Sequence, residues 1–162
     1  MSKHLGLILT LIVTTASLPC AAESKLQPTV VFVCEHGNAK STIAAAHFNR
    51  IAEAKGLPDP AISRGINPDP EIPDNIRVGL LADGIDVSGW KPTQISEADI
   101  RSAERVVTLA CEMPKSKSVS RDKLIDWANL PAVSDGYTEA RAEIVRRVEE
   151  LLKTLSNMKA QR

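Results

Sequence analysis

The stretch that most constrains the fold is Thr29-Val30-Val31-Phe32-Val33, a continuous apolar, β-branched run. That is the pattern of a strand buried on both faces. Cys34 to Ser41 follow as a turn containing Gly37. From Ser41 to Lys55, Ala44, Phe48 and Ile51 recur at helical spacing, and Gly56 is a good stop. Strand, turn and helix in that order open a parallel α/β sheet.

The alternation continues along the chain. Ala61-Ile62-Ser63 is a short strand candidate, and Asn67 to Pro73 has the chemistry of a loop. Asp74 to Ala82 reads as a helix closed by Asp83-Gly84, and Ile95 to Ser102 as another. Arg105-Val106-Val107-Thr108-Leu109 and Leu124-Ile125-Asp126-Trp127 are two further strands. Thr138 to Leu155 is the longest helix, with Ile144, Val148, Leu151, Leu152 and Leu155 along one face. The Ser/Lys-rich stretch Lys115 to Arg121 reads as a solvated loop. At 162 residues, with no repeat or linker, one domain is expected.

The N-terminus stands apart. Lys3 and His4 precede an uncharged apolar run from Leu5 to Leu18, then Pro19-Cys20-Ala21-Ala22 and polar Glu23-Ser24-Lys25. This is the layout of a signal peptide over residues 1–22, leaving a domain of residues 23–162 in the periplasm or secreted. The run is short for a membrane-spanning anchor, and Pro19 suits acylation of Cys20 poorly. Removing 1–22 leaves nineteen basic against twenty acidic residues. That balance gives no basic surface for nucleic acid, and no membrane attachment is expected after cleavage. Cys34 and Cys111 then remain, in a compartment where cysteines can bridge.

In open α/β sheets, ligands bind beyond the carboxyl ends of the strands. Cys34 sits at such an end, just before a helix whose free N–H groups and dipole favour an anion. Gly37 lets the loop curl into a nest of N–H groups. Lys40 adds a positive charge, and Ser41 can donate a hydrogen bond to sulfur. A thiolate is favoured in such surroundings, which makes Cys34 a candidate nucleophile toward a tetrahedral anion. Glu35, His36, Gly37, Asn38 and Ala39 complete the candidate oxyanion loop. His36 and His47 have no partners at metal-ligand spacing, so no metal or other cofactor is expected.

Val31-Phe32-Val33-Cys34 through Ser41, then Ile43-Ala44-Ala45-Ala46, resembles the start of the low-molecular-weight tyrosine phosphatases and related arsenate reductases. Ser63-Arg64-Gly65, Leu81 to Val87, Arg105 to Leu109 and the last helix extend the likeness over essentially the whole mature chain. The resemblance implies a doubly wound α/β domain: a four-stranded parallel sheet in order 2-1-3-4 with helices on both faces. It implies a phosphocysteine or arsenocysteine intermediate on Cys34, with Asn38 ordering the loop and Ser41 assisting the thiolate.

Two departures bear on activity. Where the family loop carries Arg before Ser or Thr, this chain has Lys40, a point charge in place of a planar fork. Arg64, just past the neighbouring strand, is a candidate to compensate; a surface arginine is the plain alternative. The family's leaving-group acid is an aspartate in an Asp-Pro element, whereas here Leu130 precedes Pro131. Asp135 in Asp135-Gly136-Tyr137 is the candidate acid, or else a cap of the final helix. Related reductases typically use two cysteines beyond the nucleophile, and this chain offers only Cys111. It is a candidate redox partner through a Cys34–Cys111 disulfide, or an inert small hydrophobe.

The expected function is a phosphomonoesterase acting on a phosphorylated substrate. The alternatives are an arsenate reductase that uses an external thiol reductant, or a weakened oxyanion-binding or redox-responsive protein. Trp90 and Tyr137 are candidates to stack an aromatic substrate, or to pack.

Overall fold

The computed structural model describes residues 30–57 and 60–161. Thr29 and the segment read as an export signal lie outside the described residues. The elements run β1 (Val30–Cys34), α1 (Lys40–Ala54), β2 (Ala61–Gly65), α2 (Asp74–Ala82), α3 (Glu97–Ser102), β3 (Arg105–Leu109), β4 (Leu124–Trp127) and α4 (Tyr137–Ala160). The strands form one parallel sheet in the order β2-β1-β3-β4.

Every residue of β1 is buried, which is why its sequence is uniformly apolar rather than alternating. Alternate side chains enter two cores. Val30, Phe32 and Cys34 face the larger one, formed with α1, α2 and α4 through residues such as Ile43, Phe48, Ile76, Leu80, Ile144 and Leu152. Val31 and Val33 face a smaller one, with Ile95, Ile100 and Val106. Phe32 anchors the larger core, with ring centroids 5.8 Å from Phe48 and 5.7 Å from Trp127. Truncating a buried phenylalanine to alanine costs about 3–5 kcal/mol.

Several boundaries differ from the sequence expectation. The helix α1 begins at Lys40, so the cation belongs to the first turn rather than to the loop. The third helix begins at Glu97 because Ser96 and Asp99 form a capping box; Ile95 is held outside by its N–H to Gly65 O. The second strand runs on to Gly65, which pairs with Cys34 on one side and Gln94 on the other. The last helix continues past its apolar stripe to Ala160.

Candidate active site

The site is built where β1 hands over to α1. Cys34 is the last residue of β1 and only 6% exposed. From there the backbone climbs alongside the chain after β2: Ile66, Asn67 and Asp69 donate their N–H groups to the carbonyls of Cys34, Glu35 and His36. Gly37 then turns the loop with φ +63°. A Cβ there would lie 2.6 Å from Gly65 N, so both the turn and the close approach to β2 require glycine.

Ala39 caps α1 without a side-chain hydrogen bond, and no acidic residue lies in the first turn. The first amides of α1 therefore keep their capacity to bind an anion. Lys40 has no hydrogen-bond or ion-pair partner among the described residues. Its charge is not consumed by a neighbouring carboxylate.

Behind the loop runs a chain of hydroxyls. Ser41 is fully buried, with Oγ 3.0 Å from Cys34 Sγ, and Ser63 Oγ donates to Ser41 Oγ at 2.8 Å. A hydroxyl has one proton. Ser63 Oγ also lies 3.3 Å from the Gly37 carbonyl; with its proton on the closer Ser41, Ser41 has its own to donate to sulfur. Thr42 Oγ1 serves the Gly37 carbonyl at 3.2 Å.

The rim of the loop is tied to the segment after β2. Asn38 is buried and donates Nδ2 to Asp69 Oδ2 at 2.6 Å. Asn67 Nδ2 donates to Glu35 Oε1 at 2.7 Å. His36 Nδ1 lies 3.3 Å from Asp69 Oδ1. The sequence places Asn67 and Asp69 in a loop at the rim of the site; which loop residues they hold shows only once β2 is seen beside β1. A cavity of about 200 Å³ opens over this loop, lined by Cys34, Glu35, His36, Asn38, Ala39 and Lys40 and by apolar Leu109, Ala110, Ala132 and Val133.

Gly37 and Ser41 support the loop without lining this cavity, and the remaining sequence candidates lie away from it. Arg64 is held on the other side: its Nε and Nη2 donate to Asp99 at 3.0 Å each, and Nη1 donates to the Ser63 carbonyl. In a parallel sheet Arg64 pairs with Val33, not with Cys34, and so faces the smaller core. Asp99 is held below the ordinary carboxylate range; burial opposes this, but hydrogen bonds from Arg64 and Ser96 outweigh it. Asp135 is exposed and accepts a hydrogen bond from Ser134, and the helix cap is Gly136. Only Ala132 and Val133 of that loop line the cavity.

Cys111 is a free thiol, as is Cys34. Its Sγ donates to the Val33 carbonyl at 3.4 Å, and it packs with the smaller core. The two cysteines reach the same end of the sheet but belong to opposite faces, and no disulfide joins them. Burial pushes the Cys111 thiol up to about 11. Tyr137 is also occupied, donating to Asp83 Oδ2 at 3.0 Å and packing on Gly79, and Trp90 lines a separate cavity beside Ser63.

The family model for low molecular weight phosphotyrosine protein phosphatase matches residues 29–161. The chain belongs to that family. Among solved structures, it is 26% identical to a thioredoxin-dependent arsenate reductase of Corynebacterium glutamicum, with a TM-score of 0.69. That match covers 83% of this chain and 65% of the reductase, so this chain spans somewhat less than two thirds of that protein. An arsenate reductase of Archaeoglobus fulgidus is 27% identical, with a TM-score of 0.61 over 76% of this chain and 98% of the other. A low molecular weight protein tyrosine phosphatase of T. tengcongensis, 20% identical, shares the fold with a TM-score of 0.67 over 77% and 97%. A search of curated proteins gave no match. Family membership thus covers both phosphatases and arsenate reductases.

Proposed function

We propose that this protein is an exported, cysteine-dependent phosphomonoesterase working through a phosphocysteine intermediate. The observation that carries the reading is the 3.0 Å contact between Cys34 Sγ and Ser41 Oγ at the open end of α1. The loop amides and Lys40 hold three oxygens of the phosphoryl group. Cys34 attacks phosphorus from below, and Ser41 donates to the sulfur that carries negative charge before attack and after release. Lys40 supplies charge without the two-pronged geometry of arginine. Grip on the trigonal-bipyramidal transition state is therefore weaker than in an arginine loop, and turnover is expected to be modest.

The apolar rim of Leu109, Ala110, Ala132 and Val133 suits an aryl leaving group. The export half of the reading rests on the basic start, apolar run and small-residue end of residues 1–22.

The test is phosphate release from an aryl phosphate by the reduced protein and by Cys34→Ser. Turnover is expected in the first and absent in the second. Equal, background release from both, with phosphate still bound, would remove the phosphatase reading.

A second reading, thiol-dependent arsenate reduction on the same loop, is favoured by one observation: the two solved structures named above at 26% and 27% identity are arsenate reductases. Here the Cys34–arsenate adduct would be resolved by an external thiol, since Cys111 faces the other side of the sheet. Arsenite formed only in the presence of added thiol would distinguish it.

A further inference from the structure

We propose that His36, oriented by Asp69, is the proton donor and acceptor of this site, a catalytic role that rests on the phosphomonoesterase reading. The cavity needs such a group. Its late loop contributes only Ala132 and Val133, and Asp135 stands outside. Of the titratable side chains lining it, Cys34 is the nucleophile, Lys40 holds the anion and Glu35 is engaged by Asn67. His36 is the one left without a task.

Its surroundings suit proton transfer. Histidine ordinarily changes charge between pH 5 and 8. Nδ1 of His36 faces Asp69 Oδ1 at 3.3 Å, and Nε2 has no partner among the described residues. Asp69 does not drift: its N–H donates to the His36 carbonyl at 3.1 Å and its Oδ2 accepts from Asn38 at 2.6 Å. The arrangement is an imidazole with a held carboxylate beside one nitrogen and the other nitrogen left for proton transfer. The charged groups around the ring are Asp69 from the segment after β2, Glu35 from its own loop and Lys40 from the first turn of α1. Leu109 and Ala110 after β3, and Ala132 and Val133 from the late loop, add none.

The chemistry balances in two steps. Cys34 Sγ bonds to phosphorus as the ester P–O bond breaks, and the imidazolium Nε2–H protonates the departing oxygen to give the alcohol or phenol. Water then attacks the phosphocysteine; neutral Nε2 takes its proton, the S–P bond breaks, and inorganic phosphate leaves with the thiolate restored. The imidazole ends protonated, ready for the next ester. Asp69 is a positioning residue: it faces Nδ1 and leaves Nε2 for proton transfer.

The experiment compares kcat/KM for 4-nitrophenyl and phenyl phosphate across pH, using reduced wild type, Cys34→Ser, His36→Gln and Asp69→Asn, with inorganic phosphate affinity measured by calorimetry. A general acid matters most for the poorer leaving group. His36→Gln should lose about 100-fold or more on phenyl phosphate and roughly tenfold on the nitrophenyl ester. It should keep its phosphate affinity and lose the alkaline fall of the profile. Asp69→Asn should lose more on phenyl phosphate than on the nitrophenyl ester, in the same direction as His36→Gln and less, because the ring has lost the carboxylate that positions it. Equal losses on both esters, or an unchanged profile in His36→Gln, would overturn the proposal while Cys34-dependent turnover leaves the phosphatase reading intact. Wild type no better than Cys34→Ser on either ester would overturn both.

Discussion

The two cysteines of the described chain leave the sheet at the same end and meet opposite environments. Cys34 closes β1, faces the larger core and lies beside a buried serine at the start of a helix. Cys111 follows β3 after the left-handed Ala110, faces the smaller core and gives its proton to a backbone carbonyl. One sulfur is supplied with a donor and a nearby cation; the other is itself the donor, to a backbone carbonyl, and is half-buried against the smaller core. Being a cysteine at a strand end does not make a nucleophile. The helix start and the hydroxyl chain behind it do.

The largest difference this predicts is in alkylation by iodoacetate, an anion the loop should draw in. With the Cys111 thiol pushed up to about 11, only about one part in a thousand is thiolate at pH 8. Cys34 should label at least about 100-fold faster, and inorganic phosphate should slow Cys34 alone. Labelling of Cys111 should rise about tenfold per pH unit until the pH nears 11. Peptide mapping at timed quenches reads both sites. Equal rates would break the comparison.

Removing the donor should narrow the gap from the Cys34 side. Hydrogen bonds to charged groups are worth about 1.5–3 kcal/mol, so Ser41→Ala should cut both Cys34 labelling and ester turnover by about tenfold to a hundredfold. Ser63→Ala, one step further back, should act in the same direction and less. No change in Ser41→Ala would mean that the 3.0 Å contact is incidental.

Arg64 tests the two faces with a cation instead of a sulfur. It sits one residue before Gly65, the partner of Cys34, yet its guanidinium points across the sheet to Asp99. Arg64→Ala should therefore destabilise the fold by about 2 kcal/mol, the scale of lost charge-assisted hydrogen bonds, with phosphate affinity within twofold of wild type. Urea melts and calorimetry on one preparation separate the two. A large loss of phosphate affinity would return Arg64 to the loop.

These cases mark what the sequence carries. The strands were legible because β-branched runs bounded by turns have few alternatives, and the loop because cysteine, glycine, lysine and serine fall at spacings that converge mechanically. Which side of a strand a residue takes follows from pairing, and one residue of register separates Arg64 from Gly65. That could not be read without the β2–β1 alignment. The particular contacts of Asn67 and Asp69 escape the sequence for the same reason: they reach the Cys34 loop only through neighbouring strands. A local motif points to Asp135, but the turn of residues 132–135 leaves it exposed.

The smallest expected effect concerns a second titratable group on the Cys34 face. His47 on α1 is buried, with Nε2 3.2 Å from Asp83 Oδ2 but not in a hydrogen bond with it. Asp83 also accepts from Tyr137 and Arg141 of α4 and so ties α1, α2 and α4 together. Burial holds the imidazole below its ordinary 6.5, outweighing the attraction of Asp83; Arg141 and Arg50 push the same way as burial. Burial would raise Asp83, but the hydrogen bonds from Arg141 and Tyr137 hold it below the ordinary carboxylate range. The signs follow. As pH falls below about 6.5 the unfolded chain takes up a proton that folded His47 refuses, so stability declines. The limit is about 1.4 kcal/mol per pH unit for one proton, and the decline ends once the folded ring titrates. Asp83 adds its own loss only in more acid solution. Urea melts at pH 7, 6 and 5 should show this slope in wild type and a flatter one in His47→Gln, with ester turnover at pH 7 retained by the variant. The same slope in both proteins would mean that the burial of His47 is not what the fold loses in mild acid.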